Sequence, residues 1–451
     1  RKIALLGPHD RYNFGDLLFE KVLSKLLQSR AGYSDDDILR AGLVSTDMSA
    51  YGGHDNILSM KRIQELSRNS SHEDGPFDIV YTGGESVGCS HACGVGMLPG
   101  HLRKSAEDDK IYGCAYLVPK SELLPKGETN SSRNHAVANS LGGFGRAAGT
   151  CKKALKTADY VTFRDQLQED GGTPDSAVMV KELFQEDIAS TAEQVVKEVF
   201  RGGGNPRYIA VQHKVRGINK GDGELAGILD TVSKETGCTI VFFAAGTVPG
   251  HDSFRSYRSL SKKMKQPSIV YEATHVWKVV ALISGAEAVM SSSLHVRIMA
   301  FIFQKPRVTW CTEPKHRNFI SNWDSKNASQ CSSHEKSWEV LSKYMGNNRT
   351  SDIAEMDMRA YENDVQTYLE SFDKWSTLIN DVKTVDAPTA DLSKNSRTKL
   401  KAGLPKDTAD VKTVHPLTAG LSKNSTEQSK SVTTEDTVEV KTLHTPTAEL
   451  S

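Results

Sequence analysis

Apolar residues fall into two rhythms along this chain, and their alternation sets the expected fold. Residues 2–7 (KIALLG) are a short unbroken apolar run ending at Gly7-Pro8, as expected of a buried first strand. Behind it, Leu17-Leu18, Val22-Leu23 and Leu26-Leu27 recur at helical spacing, with Asp16 placed to cap that helix. The pattern predicts further strands over 77–81, 110–117 and 160–163, and a largely helical stretch over 134–155. A polar, glycine-rich break, RGGGNPR, follows Phe200 and reads as a domain junction. Beyond it a second series predicts strands over 208–211, 239–243, 268–271 and 286–290, with helices over 225–234, 275–284 and 294–303. Lys305-Pro306 stops the last helix and launches Arg307-Val308-Thr309 as a strand.

Strands separated by helices imply parallel sheets, so the fold class expected is α/β. Two Rossmann-like domains, residues 1–200 and 201–345, would face each other across a ligand cleft at the carboxyl ends of their strands. From 350 to 382 a long polar helix carries one apolar stripe: Ala354, Met358, Tyr361, Val365, Tyr368, Leu369, Phe372, Trp375 and Leu378. In the remaining tail, 383–451, related segments begin at Val382, Val411 and Val440, a 29-residue step. A fixed period can mean a solenoid. These repeats are rich in Thr, Ser, Lys and Pro and lack the large apolar residues a shared core needs, so disorder is expected.

Composition narrows the partners. The chain has 451 residues, too many for one core. Its 56 Lys and Arg balance 56 Asp and Glu, so no bulk field recommends nucleic acid or an anionic membrane. No apolar run approaches the roughly 18–20 residues of a spanning helix. The first residue is an arginine leading straight into a strand, so the natural N-terminus is expected to be missing. The compartment, Golgi and secretory pathway or cytoplasm, stays open. The 7 cysteines are scattered and odd in number, which favours a mostly reduced state. Glycosylation triplets begin at Asn69, Asn130, Asn327, Asn348 and Asn424 and matter only in the secretory pathway.

Candidate chemistry gathers where strands run into helices. Ser291 to Val308 reads SSSLHVRIMAFIFQKPRV, with His295 at the mouth of a helix and Ser291, Ser293 and Arg297 around it. Unpaired N–H groups at such a mouth make an anion site, although spacing alone slightly favours a satisfied histidine capping an ordinary βα turn. Asn13-Phe14-Gly15-Asp16 offers a glycine for close backbone approach beside polar groups; a helix cap is the plain alternative. Gly83 and Gly84 follow the strand at 77–81 and allow a ligand, or the next helix, to come near. Arg164 ends the strand YVTF, either as a cleft guanidinium or as half of an ion pair. Gln212, His213 and Lys214 close the first strand of the second series and would face the cleft if the sheet is so oriented; a solvated polar strand end is the plainer alternative. Cys89, His91 and Cys93 superficially resemble a metal site but lack the second ligand pair that zinc usually requires, so no metal is expected.

In order, NFGD, D-I-V-Y-T-G-G, F-R-D and S-x-S-L-H-x-x-I-x-A-x-x-x-x-K-P resemble the polysaccharide pyruvyl transferase family, over about residues 3 to 310. The resemblance implies a GT-B-like arrangement of the two domains. It implies transfer of a pyruvyl group from phosphoenolpyruvate to paired hydroxyls of a glycan acceptor, with no cofactor. His295 would then be the acid/base or phosphate-contacting residue. Asn13, Gly15, Asp16, Gly83, Gly84, Arg164, His213, Lys214, Ser291, Ser293 and Arg297 would line the substrates. Many members carry an arginine two residues before the histidine and a small residue after it; this chain has Ser293 and Val296, with Arg297 the nearest guanidinium. The glycine loop ends in Glu85 where a third glycine is usual. A glycosyltransferase using a nucleotide sugar, with Glu272 or Glu313 as donor contacts, and a non-catalytic carbohydrate-binding relative are the competing expectations.

Overall fold

The computed structural model describes residues 2–69, 77–84, 91–108, 115–122, 135–142, 149–166, 172–201, 203, 206–214, 222–325, 331–345 and 351–380. Glu85, Cys89, Cys114, most of the loop 217–223, the triplets at Asn130, Asn327, Asn348 and Asn424, and the tail 383–451 lie outside them.

The first sheet is six-stranded and parallel: β1 (Ile3–Leu6), β2 (Ile38–Gly42), β3 (Leu58–Ser59), β4 (Asp78–Tyr81), β5 (Ala136–Leu141) and β6 (Tyr160–Phe163), in the order β3-β2-β1-β4-β5-β6. The second has five parallel strands, β7 (Tyr208–Gln212), β8 (Thr239–Phe243), β9 (Ser268–Tyr271), β10 (Ala288–Ser291) and β11 (Arg307–Thr309), in the order β11-β10-β7-β8-β9. Around the first run α1 (Phe14–Ala31), α2 (Met60–Asn69), α3 (His91–Gly96), α4 (Gly100–Asp108) and α5 (Gly149–Thr157). Then come α6 (Val180–Leu183), α7 (Gln185–Val199), α8 (Asp222–Thr236), α9 (Phe254–Lys263), α10 (Val276–Gly285), α11 (Leu294–Ile302), α12 (Pro314–Asn322), α13 (Ser337–Met345) and α14 (Ser351–Asn380). In each sheet the strand order reverses beside its first strand. Ligand crevices of doubly wound sheets open at that reversal, here between the carboxyl ends of β1 and β4 and of β7 and β10.

Strand alternation divides the core. Ile3 and Leu5 of β1, with Tyr208 and Ala210 of β7, join a central cluster that also takes in α1, α10, α11 and α14. Ala4 and Leu6 face an outer cluster on the first sheet, and Ile209 and Val211 one on the second. The strands β1, β4, β5, β7, β8, β10 and β11 are buried on both faces, which is why most of them read as unbroken apolar runs. The central cluster buries Phe14, Phe301, Tyr368, Phe372 and Trp375, each removing on the order of 2 kcal/mol of apolar surface from water. The helix α14 spans the set: Asn139 donates to Tyr368 at 2.9 Å, Tyr361 donates to Glu182 at 2.7 Å, and Arg307 pairs with Asp357 at 3.0 Å.

Four sequence expectations need correcting. Residues 136–141 form β5, not helix: AVANSL is small enough to be buried on both faces, and the helix begins only at Gly149. Of 110–117, the described residues 115–117 are not strand. The cysteines are not mainly reduced. Cys311 and Cys331 form a disulfide and Cys151 is also disulfide-bonded, while Cys238 is a free thiol. On α14 the stripe ends on buried Ile379 rather than Leu378.

Candidate active site

The two reversal points meet at one residue pair. Gly15, in the first turn of α1, lies so close under His295 of α11 that a methyl group on its Cα would sit 1.9 Å from the imidazole Nδ1. Local sequence produces both sides. Asn13 adopts extended backbone before α1 and its side-chain oxygen accepts from the Gly15 amide at 3.2 Å, fixing the bend. Ser291 accepts from the Ser293 amide at 2.8 Å and donates to Gln212 at 2.8 Å, tying the mouth of α11 to the end of β7. Backbone bonds join the walls: the Phe14 amide donates to the Ala245 carbonyl at 2.9 Å, and the Thr247 amide to the Tyr12 carbonyl at 3.2 Å.

The edges of Phe14 and Phe19 pack on the His295 ring, with centroids 6.2 and 5.2 Å away. Its side chain retains 11% exposure. The glycine loop supports this wall at one remove. Gly83 and Gly84 have φ of 112° and 77°, and the Phe19 ring lies 3.4 and 3.0 Å from where their Cβ atoms would stand.

A carboxylate that sequence reading missed faces the histidine. Asp175 Oδ2 lies 3.6 Å from His295 Nε2 and accepts from Arg164 at 2.5 Å; its other oxygen accepts from the Ala177 amide at 3.0 Å. Burial raises its pKa, but Arg164 and the imidazole outweigh burial and hold it well below the usual carboxylate range. The segment Thr-Pro-Asp-Ser before an apolar turn was the available signal, a helix-capping aspartate. Asp16 behaves oppositely. Burial raises its pKa, against the pull of Arg11 at 3.8 Å and of His295, Lys315 and Arg164. Cations ring the crevice: Arg11, Arg164, Lys214 and Lys315 all act on Asp16 or on His251, whose pKa burial lowers to about 4.

Beneath the site, buried Asp252 ties the loop after β8 to the end of β7. It accepts from the Ala245 amide at 2.6 Å and from Gln212 at 2.6 Å, and Gln212 in turn accepts from Ser291 and from the Ser292 amide at 3.1 Å. Burial pushes the Asp252 carboxyl up to about 7, despite these bonds.

Two expected contacts are placed elsewhere. Arg297 is fully buried, bound to Asp324 at 2.6 Å and to Thr309 at 2.7 Å, in a network with Arg307 and Asp357. All of α11 is buried, so its one guanidinium needs a buried counter-ion and cannot also serve the cleft. The His213 ring packs edge-on against Trp310 and His334, at 5.2 and 4.9 Å, instead of beside His295. Asn13, Gly15, Asp16, Arg164, Lys214, Ser291 and Ser293 do surround the histidine or the turns that carry it. Among the described residues no group of His, Cys, Asp and Glu is arranged to hold a metal ion, and no helix is long and apolar enough to cross a membrane. Glu272 is engaged by Arg258 on the surface.

Two parallel sheets of this kind are the GT-B-like class of α/β enzymes. The S. aureus MnaA–UDP co-structure is similar at TM-score 0.50 and 10% identity, covering 87% of this chain and 100% of that one. UDP-GlcNAc 2-epimerase from Neisseria meningitidis bound to UDP-GlcNAc is similar at 0.50 and 8% identity, covering 83% and 99%. At such identities the likeness extends to the fold alone. No curated protein matches the chain. The sequence pattern goes further than the fold: the family model for polysaccharide pyruvyl transferase matches residues 13–310, and the chain belongs to that family.

Proposed function

We propose that the chain transfers the pyruvyl group of phosphoenolpyruvate to two hydroxyls of a glycan, forming a ketal and releasing phosphate. The observation that carries this reading is the imidazole of His295 set between two strand-order reversals, with Asp175 on one side and a ring of cations around it. In this scheme the enol CH2 carbon takes a proton, and the adjacent carbon is attacked by one sugar hydroxyl. The second hydroxyl then displaces phosphate from that carbon. One hydroxyl proton replaces the proton given to the methyl group, and the other leaves with the phosphate.

The residues divide the work by environment. Asp16, whose burial favours its protonated form, is suited to deliver the proton to the enol carbon. His295, whose Nε2 faces the Asp175 carboxylate at 3.6 Å, is suited by its place to receive a hydroxyl proton. Arg11, Arg164, Lys214 and Lys315 supply the positive field that a carboxylate-phosphate donor needs. No cofactor is invoked, and the glycan acceptor stays a proposal at the level of its paired hydroxyls.

Phosphate release from phosphoenolpyruvate across a sugar panel is the test. Release is expected only with a suitable acceptor, and His295→Ala is expected to remove it while leaving the thermal transition in place. Unchanged turnover in that variant would sink the assignment. A nucleotide-sugar reading draws on the UDP and the UDP-GlcNAc bound in the two similar structures. Calorimetric titration with UDP against phosphoenolpyruvate separates the two, since only the true donor binds.

A further inference from the structure

Glu313 sits at the N-terminus of α12 in extended backbone, and its side chain makes no capping bond to the backbone of the helix it precedes. Its carboxylate lies between two ammonium groups instead: Lys315 Nζ is 2.6 Å from one oxygen, and Lys214 Nζ is 3.5 Å from the other. The lysines come from separate places, Lys214 after β7 and Lys315 within the first turn of α12. All three side chains are 22 to 31% exposed, neither sealed in the core nor fully solvated. The cluster belongs to the crevice of His295, because Lys315 and His295 both act on Asp16, while Lys214, Lys315, Arg11 and Glu313 all act on His251.

We propose that Lys214 and Lys315 form an oxyanion-binding subsite and that Glu313 is its resident counter-ion, which an incoming phosphate or carboxylate displaces. A carboxylate bridging two ammonium groups with its two oxygens has the geometry that two oxygens of a phosphate would adopt. The amides at the start of α12 add positive potential at the same spot. Burial raises the Glu313 pKa, but the two lysines outweigh it and bring it to about 2, so the competing anion is present at every working pH. Keeping the lysines neutralised until the donor arrives disfavours weak monovalent anions and leaves polyanions able to compete. The inference rests on the proposed reading only for the identity of the anion.

Calorimetric titration of the full chain with orthophosphate and with phosphoenolpyruvate, at low and high salt, tests it. Glu313→Gln is expected to tighten both by about tenfold, the value of one charge contact at intermediate dielectric, and Lys315→Met and Lys214→Met to weaken them similarly. Unchanged or weaker binding by a folded E313Q overturns the proposal, since Glu313 would then be positioning the lysines. If E313Q does not fold, unchanged affinity in both lysine variants overturns it equally. Tighter orthophosphate with no binding of phosphoenolpyruvate would keep the subsite and remove the donor assignment. Phosphoenolpyruvate binding indifferent to all three substitutions would keep the donor and remove the subsite.

Discussion

Gly15 shows how narrow the tolerance is around the imidazole. Gly15→Ala must displace the His295 ring from its place, because the added methyl would overlap the imidazole. Displacement of a catalytic group by about 1 Å typically costs about a hundredfold in rate. We expect a loss of that order in kcat, with the melting temperature changed far less; a variant as active as the parent would mean that the ring's position is immaterial. Arg297 gives the opposite signature. Arg297→Met strands Asp324 beside Arg307 alone and is expected to destabilise the fold by about 3–5 kcal/mol, read by urea denaturation, with KM for the donor unchanged in whatever protein remains folded. The sequence showed His295 and the Asn-Phe-Gly-Asp bend because glycine and polar groups at a strand-to-helix turn are local signals. Asp175 and Lys315 were not legible as partners. Their meaning depends on an approach between segments more than a hundred residues apart, which no periodicity encodes.

At the level of elements, the strands were legible where they are apolar throughout and the helices where one face is polar. β5 was misread because its alanines and asparagine suit either state, and burial by neighbouring strands decided between them. The loops carry more of the site than the elements do. Asp252, in the loop after β8, holds the Ala245 amide and Gln212 together, and so fixes the Asn13 bend and the mouth of α11 at once. Gln212→Ala removes the bridge between them and is expected to cost about 1–3 kcal/mol through the unsatisfied groups it leaves. It should also lower kcat, which a purely structural bond elsewhere would not do; steady-state kinetics beside a denaturation curve tells the two apart. The Cys311–Cys331 disulfide encloses α12, with Glu313 and Lys315 at its start. Cys331→Ser is expected to lose about 2–4 kcal/mol by the usual loop-closure account, and thermal melts with and without reductant should converge on that value.

Across the molecule, burial has placed titrating groups in both halves. His9 in the first and His251 and His316 in the second are each lowered to about 4 by desolvation. A histidine with a folded pKa below its unfolded value keeps its full contribution above about 6.5 and loses it as pH falls toward 4. Replacing His251 with Asn should therefore flatten the pH profile. Relative to the variant, the parent is expected to lose on the order of 2 kcal/mol between pH 7 and 4.5, measured by urea midpoints. A parallel pair of profiles would mean that His251 is solvated and titrates normally. Arg11, Lys214 and Lys315 surround this histidine and oppose its protonation, while Glu313 favours it.

The Phe14–Ala245 and Tyr12–Thr247 bonds are made by main chain alone. Side-chain drift in either loop leaves such a seam untouched, so related chains can vary there freely without unlacing it. Only an imino acid removes the donor. Thr247 points its own side chain into solvent, so exchanging it for proline subtracts one stitch and little else.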